Sequence, residues 1–297
     1  MPTSSPSKFA PDYLPFETTL ARQIVRQHLN HLNTVFWLGQ SSNHVVNSSY
    51  TAVVANNPGV KGHFKNATLW QSATQDFDTW SRQNAVISAA SMLEVYIVSA
   101  GLTVFQAMPE LLDRSLLGTD SVHLLKNPDT LSTSFRKTMK DRAESFTKGR
   151  WTDRLQRLRM AFGKIPATVE AEVSHLQQLQ DLRNKIAHKF GHDGETLRRT
   201  PWEPVKAIKP TDAKIISYFR VVDVVTAELD KHVFGPLTGG YEIVSEYDMW
   251  RRKTGSKSSS INTLTEPNDF KNYIGQVFGR SPSKEYIRSM IQYYQNA

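Results

Sequence analysis

Cysteine is absent from this sequence of 297 residues. Its absence excludes disulfide bonds, zinc sites with cysteine ligands and catalysis by a thiol. It also fits a reducing compartment, and we expect a cytoplasmic protein. Residues 1–15 lack the apolar core of a secretory signal, and their proline and serine content predicts a flexible arm instead.

Long apolar runs are absent as well. A membrane-spanning helix needs about 18 or more consecutive apolar residues. The most apolar segment, residues 85–108, contains several polar residues, namely Ser88, Ser91, Glu94, Ser99 and Gln106. We therefore predict a buried helix at this position and no membrane association.

Several catalytic motifs are also missing, including a glycine-rich phosphate loop, HExxH and GxSxG. Enzyme classes that depend on them are disfavoured. His28 and His31 lie one helical turn apart, but no third ligand is adjacent, so a hydrated helix face is favoured over a metal site. We expect no metal ion and no organic cofactor.

The composition that remains is that of a basic, folded protein. Hydrophobic residues make up 39% of the chain, which is enough for a sizeable core, and the net charge is +8. Such a charge favours a polyanionic partner such as RNA or DNA, although solubility alone explains part of it.

The chain is predicted to be mostly α-helical, because apolar residues recur every three or four positions along most of it. We expect a helical domain over residues 16–236 and a small C-terminal extension, residues 237–297, with a basic linker and two short helices. Residues 40–68 lose the helical period and include a β-branched run, which predicts a short β or extended insert. A second short strand is predicted at 239–244.

The most basic part of the chain is residues 131–164, where ten basic residues stand against three acidic ones, a balance of +7. Phe146, Trp151 and Phe162 are interleaved with these cations. One interpretation is a nucleic-acid surface whose aromatic side chains stack on unpaired bases. The other, equally weighted, is a hydrated charged face with the aromatic residues in the core.

Residues 168–191 carry the most informative pattern in the sequence. Their apolar residues follow helical spacing, and the segment ends with Arg183, Asn184, Lys185 and His188 within about one and a half turns. An arginine fits a phosphate, and a histidine exchanges protons near neutral pH. Asn184 and His188 are four residues apart and share a helix face. Together these residues suit the cleavage of a phosphodiester.

An arginine followed five residues later by a histidine also arises by chance. Arg26 and His31 have the same spacing, but they lie early in the chain, whereas Arg183 and His188 lie at the end of a long amphipathic helix. The alternative for Arg183 is a structural ion pair, and for His188 a histidine favoured by the dipole at a helix C-terminus. Glu94, on the predicted helix 76–112, either forms an ion pair with a cation at the core edge, which is the favoured interpretation, or orients Arg183.

The segment LQDLRNKIAHKFG, on a helix with this apolar stripe, resembles the signature of the HEPN superfamily. The resemblance implies a helical bundle, a homodimer with two motifs facing one composite cleft, and metal-independent RNA cleavage that leaves a 2′,3′-cyclic phosphate. By position, Arg183, Asn184 and His188 are the implied catalytic residues. Members regulated by nucleotide transfer have a tyrosine where this chain has Phe190, so we do not expect that regulation. A role in stress response or phage defence is implied at the family level only.

We therefore predict a dimeric endoribonuclease of HEPN-like fold. The predicted RNA-binding residues are Lys185, Lys189, Arg150, Arg154 and Arg157. One alternative is a non-catalytic helical dimer that binds RNA, a nucleotide or a protein. Another is an RNA-binding subunit whose active partner is a different chain. The RNA substrate and any regulatory partner or ligand are not specified by the sequence.

Overall fold

A computed structural model describes residues 16–48, 50–189, 208–255 and 265–297. Most of these residues are helical and none of them lies in a strand, so the prediction of a mostly α-helical fold is confirmed. The predicted arm, residues 1–15, lies outside the described residues.

The helices, numbered in chain order, have the following bounds: α1 Leu20–Ser48, α2 Tyr50–Asn56, α3 Pro58–His63, α4 Ala67–Ala107, α5 Ser121–Lys126, α6 Thr133–Ser145, α7 Trp151–Phe162, α8 Ala167–Ala171, α9 Val173–Lys189, α10 Asp212–Leu229, α11 Gly235–Thr238, α12 Tyr241–Gly255, α13 Glu266–Phe278 and α14 Lys284–Asn296. A π-helical turn, Asp230–Phe234, joins α10 to α11. Short 3₁₀ turns occupy Pro109–Leu111, Arg114–Leu116 and Pro128–Thr130.

The chain packs as two compact units. Unit 1 comprises Met1–Ile24, Val95–Glu170 and Thr226–Ala297, and unit 2 comprises Val25–Glu94 and Ala171–Val225. The helices α1, α4 and α10 each contribute a segment to both units. The predicted domain boundaries at residues 16 and 237 stay predictions; in this division the described part of residues 237–297 belongs to the same unit as residues 95–170.

Unit 1 holds a hydrophobic cluster built by the last three helices. Its fully buried members include Tyr247, Phe270, Ile274, Ile287 and Met290. Hydrogen bonds from buried tyrosines to buried carboxylates join the same helices. The hydroxyl of Tyr247 donates to Glu266 and that of Tyr294 donates to Asp248, each at a distance of 2.5 Å.

Two acidic side chains hold the start of α1 within unit 1. The buried carboxylate of Asp230 accepts hydrogen bonds from the backbone N–H of Thr19, over 3.0 Å, and from its hydroxyl. The carboxylate of Glu242 accepts the backbone N–H of Leu20 over 2.8 Å. These bonds use backbone donors that a helix N-terminus otherwise leaves without partners.

Unit 2 contains a buried arginine, Arg82, on α4. Its guanidinium pairs with Asp78 over 2.9 Å, donates to Gln40 over 2.6 Å and pairs with Asp212. It also donates to the carbonyl of Pro210 over 3.2 Å. The network therefore fixes the start of α10 against α1 and α4.

The predicted extended insert at residues 40–68 is wrong. Helix α1 continues to Ser48, and α2 and α3 follow within the segment. Side-chain packing overrides the weak strand preference of its valines: Trp70 donates to the Val46 carbonyl over 2.9 Å, and Tyr50 donates to the Phe64 carbonyl over 3.0 Å.

The predicted strand at 239–244 is also wrong, because residues 239–240 form a turn and α12 begins at Tyr241. Ile243, Val244 and Tyr247 are buried together at helical spacing. The predicted motif helix is divided in two: Glu172 separates the short α8 from α9.

Helix α4 is long and apolar enough to cross a membrane by length and composition alone. Half of its most apolar window is buried inside the structure, where Ala89, Leu93 and Ile97 belong to the core. A buried core helix passes the same test, so this property is weak evidence for a membrane span.

Candidate functional site

The candidate motif lies on the last turns of α9, in unit 2. The predicted apolar face of this helix is confirmed at Leu176, Leu179 and Ile186, which are buried. Arg183 and Asn184 lie at the edge of that face and are half-buried. Their side chains therefore have access both to the core edge and to solvent.

The guanidinium of Arg183 has two partners. Nη1 donates to Oδ1 of Asn184 over 3.1 Å, and Nη2 lies 3.4 Å from Oε2 of Glu94 on α4. The exposed fractions of the Arg183 and Glu94 side chains are 31% and 27%. A pair with this exposure contributes about 0–1 kcal/mol to stability, so its main effect is on where the guanidinium points.

Glu94 forms an ion pair, as one prediction had it, and the partner is Arg183; this contact is equally compatible with the other prediction, that Glu94 orients Arg183. The contact brings together two residues 89 positions apart in the sequence. Sequence spacing singled out each residue, but it did not establish their contact.

Helix α9 continues to Lys189, so the backbone at His188 is helical. His188 is one turn beyond Asn184 and about 7.5 Å along the axis from Arg183. The side chains of His188 and Lys189 lie outside the described part of the structure, and their predicted roles stay predictions.

The predicted RNA-binding residues differ in exposure. Lys185 on α9 and Arg150 before α7 are exposed, whereas Arg157 is half-buried and donates to the Lys148 carbonyl. Arg154 is 3% exposed, and its Nε donates to the Gly149 carbonyl over 3.1 Å.

The prediction that Arg154 contacts RNA is therefore wrong. Its guanidinium lies 5.0 Å from the centre of the Trp151 ring, so the side chain packs at the start of α7 rather than on a phosphate backbone. The signal was present in the sequence, because Arg154 is three residues after Trp151 and lies on the same helix face.

Of the three aromatic residues singled out in the basic segment, Phe146 and Trp151 are buried in the core and Phe162 is half-buried. Phe146 and Trp151 are 0% and 2% exposed, and the ring of Phe162 lies 5.2 Å from that of Phe146 and 5.5 Å from that of Phe234. Base stacking by Phe146 and Trp151 is therefore wrong, because both rings are buried, and the alternative of an aromatic core is confirmed for these two residues. Trp151, Leu155, Leu158 and Phe162 follow helical spacing, which predicts such burial.

Among the described residues, no group of three or more histidine and acidic side chains is arranged to hold a metal ion. The ring nitrogen Nε2 of His28 instead lies 2.8 Å from the hydroxyl of Ser88. Burial, together with the charge of His31, lowers the pKa of His28.

Comparison of the chain with protein-family models, with curated proteins and with solved structures gave no match in any of the three. A function for this protein therefore has to be inferred from its own residues and from the motif resemblance.

Proposed function

We propose that this protein is a metal-independent endoribonuclease that acts as a homodimer and leaves 2′,3′-cyclic phosphate ends. The observation that carries the proposal is the placement of Arg183. Its guanidinium is half-exposed near the end of α9, is held by Glu94, and precedes Asn184 and His188 on the same helix.

The chemistry follows from the residue types. The ribose 2′-oxygen attacks phosphorus and forms the O–P bond of the cyclic phosphate, while the P–O5′ bond breaks. His188 accepts the proton of the 2′-hydroxyl or donates a proton to the departing 5′-oxygen. Arg183 stabilises the charge on the phosphoryl oxygens, and Asn184 contacts the phosphate or fixes the His188 tautomer. DNA lacks the 2′-hydroxyl, so it would bind without being cut.

Glu94 has a positioning role in this proposal. An arginine has five N–H donors, and the contacts to Glu94 and Asn184 leave several of them for a phosphate. The carboxylate restricts the guanidinium to one side of α4, which lowers the entropy lost when a phosphate binds.

Exposed apolar side chains on α4 support a homodimer. Leu69, Phe77 and Trp80 are about half exposed, and their spacing places them on one face of the helix that also carries Glu94. Exposed aromatic residues of this size are characteristic of protein interfaces. A second copy of the chain on this face would bring the α4 helices of the two subunits together.

The same ion pair also favours an alternative function. Because Glu94 matches the charge of Arg183, the pair is also compatible with a helical module that binds RNA, a nucleotide or a protein without cutting RNA. In that case Arg183 and His188 are structural, and the exposed cations make the contacts.

The decisive experiment is cleavage of a labelled single-stranded RNA in excess EDTA. The wild type should cut and leave cyclic phosphate ends. Arg183→Ala should lower the rate by about 10²–10³-fold, and His188→Ala by about 10²–10⁴-fold. Arg26→Ala and His31→Ala are matched controls, because both residues are exposed and have the same sequence spacing.

The outcomes separate the two functions. Tight, salt-dependent RNA binding without cleavage favours the binding module. Cleavage that survives both motif variants rejects the assigned residues. Cleavage that EDTA abolishes rejects the metal-independent mechanism.

A further inference from the structure

Unit 1 contains a small cavity, of about 150 Å³, between the end of α4, α5 and α6. Its wall is mostly apolar, and three of its residues, Phe105, Leu124 and Met139, are buried core residues. A cavity of about this volume lined by apolar side chains accommodates a benzene ring. It therefore has room for one ring or a short hydrocarbon chain.

Three polar residues complete the wall: Gln106, Arg136 and Tyr241. Ligand sites typically combine an apolar wall with a few polar groups that fix orientation. Gln106 and Arg136 are exposed and Tyr241 is half-buried, so these polar side chains belong to the rim, whereas the buried Phe105, Leu124 and Met139 form the floor.

The hydrogen-bonding capacity of this rim is incompletely used. Arg136 donates through Nη2 to the Pro128 carbonyl over 2.7 Å, and through Nε and Nη2 to the Leu131 carbonyl. Its only carboxylate neighbour within the described chain is the fully exposed Asp129, 3.7 Å from Nη2. Those bonds leave Nη1 of Arg136 available, and they hold the guanidinium beside the two residues, Pro128 and Leu131, that also line the cavity.

Gln106 and Tyr241 add unused polar groups. Within the described parts of the chain, neither side chain makes a hydrogen bond. The rim thus offers a guanidinium, an amide and a phenol beside an apolar floor. A carboxylate matches this set, because its two oxygens accept from an arginine and from a neighbouring neutral donor together.

We propose that this cavity binds a small monocarboxylate whose apolar part is a single ring or a chain of about six carbons. The carboxylate contacts Arg136 with help from Gln106 or Tyr241, and the apolar part lies against Phe105, Leu124 and Met139. The site lies wholly in unit 1 and is independent of the motif on α9.

Benzoate is the probe for this proposal, and calorimetric titration of the full chain is the measurement. A ligand of this size should bind with a dissociation constant on the order of 1 mM or lower. Benzyl alcohol, which keeps the ring without the charge, should bind at least tenfold more weakly, and acetate, which lacks the ring, should show no saturable binding.

Two variants test the two halves of the site. Arg136→Gln should weaken benzoate binding by about tenfold and leave benzyl alcohol binding unchanged. Leu131→Trp keeps the charge but fills the entrance, and should weaken both ligands. The matched control is Arg142→Gln on the same helix, whose guanidinium lies over the Phe146 ring outside the cavity.

Three results would overturn the proposal. They are the absence of saturable benzoate binding up to about 10 mM, equal binding of acetate and benzoate, and benzoate binding that neither variant weakens. Unfolding curves for each variant show whether the fold is retained, and Leu131→Trp provides the test if Arg136→Gln loosens the Pro128–Thr130 turn.

Discussion

Nη2 of Arg183 lies 3.4 Å from Oε2 of Glu94, and the pair joins the end of α9 to the middle of α4. The distance is long for a charge-assisted hydrogen bond, and both side chains are about 30% exposed. Stability gains little from such a pair. Its consequence is positional, because it sets where the guanidinium lies relative to the rest of the motif.

Replacing Glu94 tests this consequence. Glu94→Gln keeps the shape of the side chain and removes its charge. We expect the RNA cleavage rate at saturation to fall by about tenfold, because Arg183 is held less firmly. KM should fall as well, because a competing negative charge is removed, and the free energy of unfolding should change by less than about 1 kcal/mol.

The matched control for this variant is Glu144→Gln, which removes a carboxylate 3.8 Å from Lys140 in unit 1. Cleavage by the control should equal that of the wild type. An unchanged maximal rate in Glu94→Gln would show that the ion pair has no positioning role.

The buried Arg82 network gives a prediction about stability. Arg82→Met removes the arginine from Asp78 and Asp212. Asp78 keeps Lys209 and Gln40 as partners and Asp212 is about half exposed, so we expect a loss of about 1.5–3 kcal/mol, typical of hydrogen bonds to charged groups. Urea unfolding measures this loss. Arg159→Met is the control, because its pair with Glu170 is about half exposed and should contribute less than about 1 kcal/mol.

Asp78 makes the same network sensitive to acid. Burial acts to raise the pKa of Asp78, but hydrogen bonds from Lys209, Gln40 and Arg82 outweigh it and lower the pKa. This contribution to stability is therefore present above the ordinary carboxylate pKa and is lost as the pH falls through the lowered value. If Arg82→Met lost no more stability than the control Arg159→Met, the predicted contribution of the Arg82 network to stability would be contradicted.

The helices of this protein were predictable where packing follows the local pattern. The apolar face of α9 appears as Leu176, Leu179 and Ile186, and each of them is buried. The prediction of an extended insert is wrong because β-branched residues have only a weak preference for strands. The segment is held instead by hydrogen bonds from Trp70 and Tyr50 to residues 24 and 14 positions away in the sequence.

The candidate site was predictable in part for the same reason. Arg183 and Asn184 are neighbours, so their contact follows from spacing, whereas the Glu94 contact depends on how α4 packs against α9. Arg154 shows the reverse error: its charge predicts a position in solvent, whereas the side chain lies over Trp151 and donates to the Gly149 carbonyl. Charge alone does not specify exposure.

Glu242 gives a prediction about stability and pH. Burial, reinforced by the nearby charges of Asp230 and Glu246, raises the pKa of Glu242 from 4.5 to about 7, although the backbone N–H groups of Leu20 and Ala21 oppose the shift. A raised pKa favours the protonated form in the folded state. Its stabilising contribution is therefore complete below about pH 4.5 and is lost as the pH rises to about 7.

The free energy of unfolding should fall by about 3 kcal/mol over that pH interval through Glu242 alone. Glu242→Gln should abolish this part of the pH dependence and should be at least as stable as the wild type at pH 8. Chemical unfolding at several pH values tests this. The exposed Glu285→Gln is the control and should leave the slope above pH 5 unchanged. A parallel pH profile for Glu242→Gln and the wild type would contradict the assignment.

The exposed aromatic residues of α4 give a prediction about assembly. The rings of Phe77 and Trp80 stack on each other with centres 5.9 Å apart, and the two side chains are 52% and 59% exposed. If a second copy covers this face, Trp80→Glu buries a charge in the interface, and the dimer should dissociate at least tenfold more readily. Light scattering over a dilution series measures the change.

The same variant connects assembly to cleavage, because a cleft formed by two motifs cannot exist in a monomer. The RNA cleavage rate of Trp80→Glu should fall in proportion to the fraction of dimer that is lost and should recover at high protein concentration. Arg183→Ala should stay inactive at any concentration. Leu117→Glu, at a position 77% exposed in unit 1, is the control and should remain a dimer. A wild type that cuts RNA as a monomer would reject the composite cleft, and a Trp80→Glu variant that still dimerises would place the interface elsewhere.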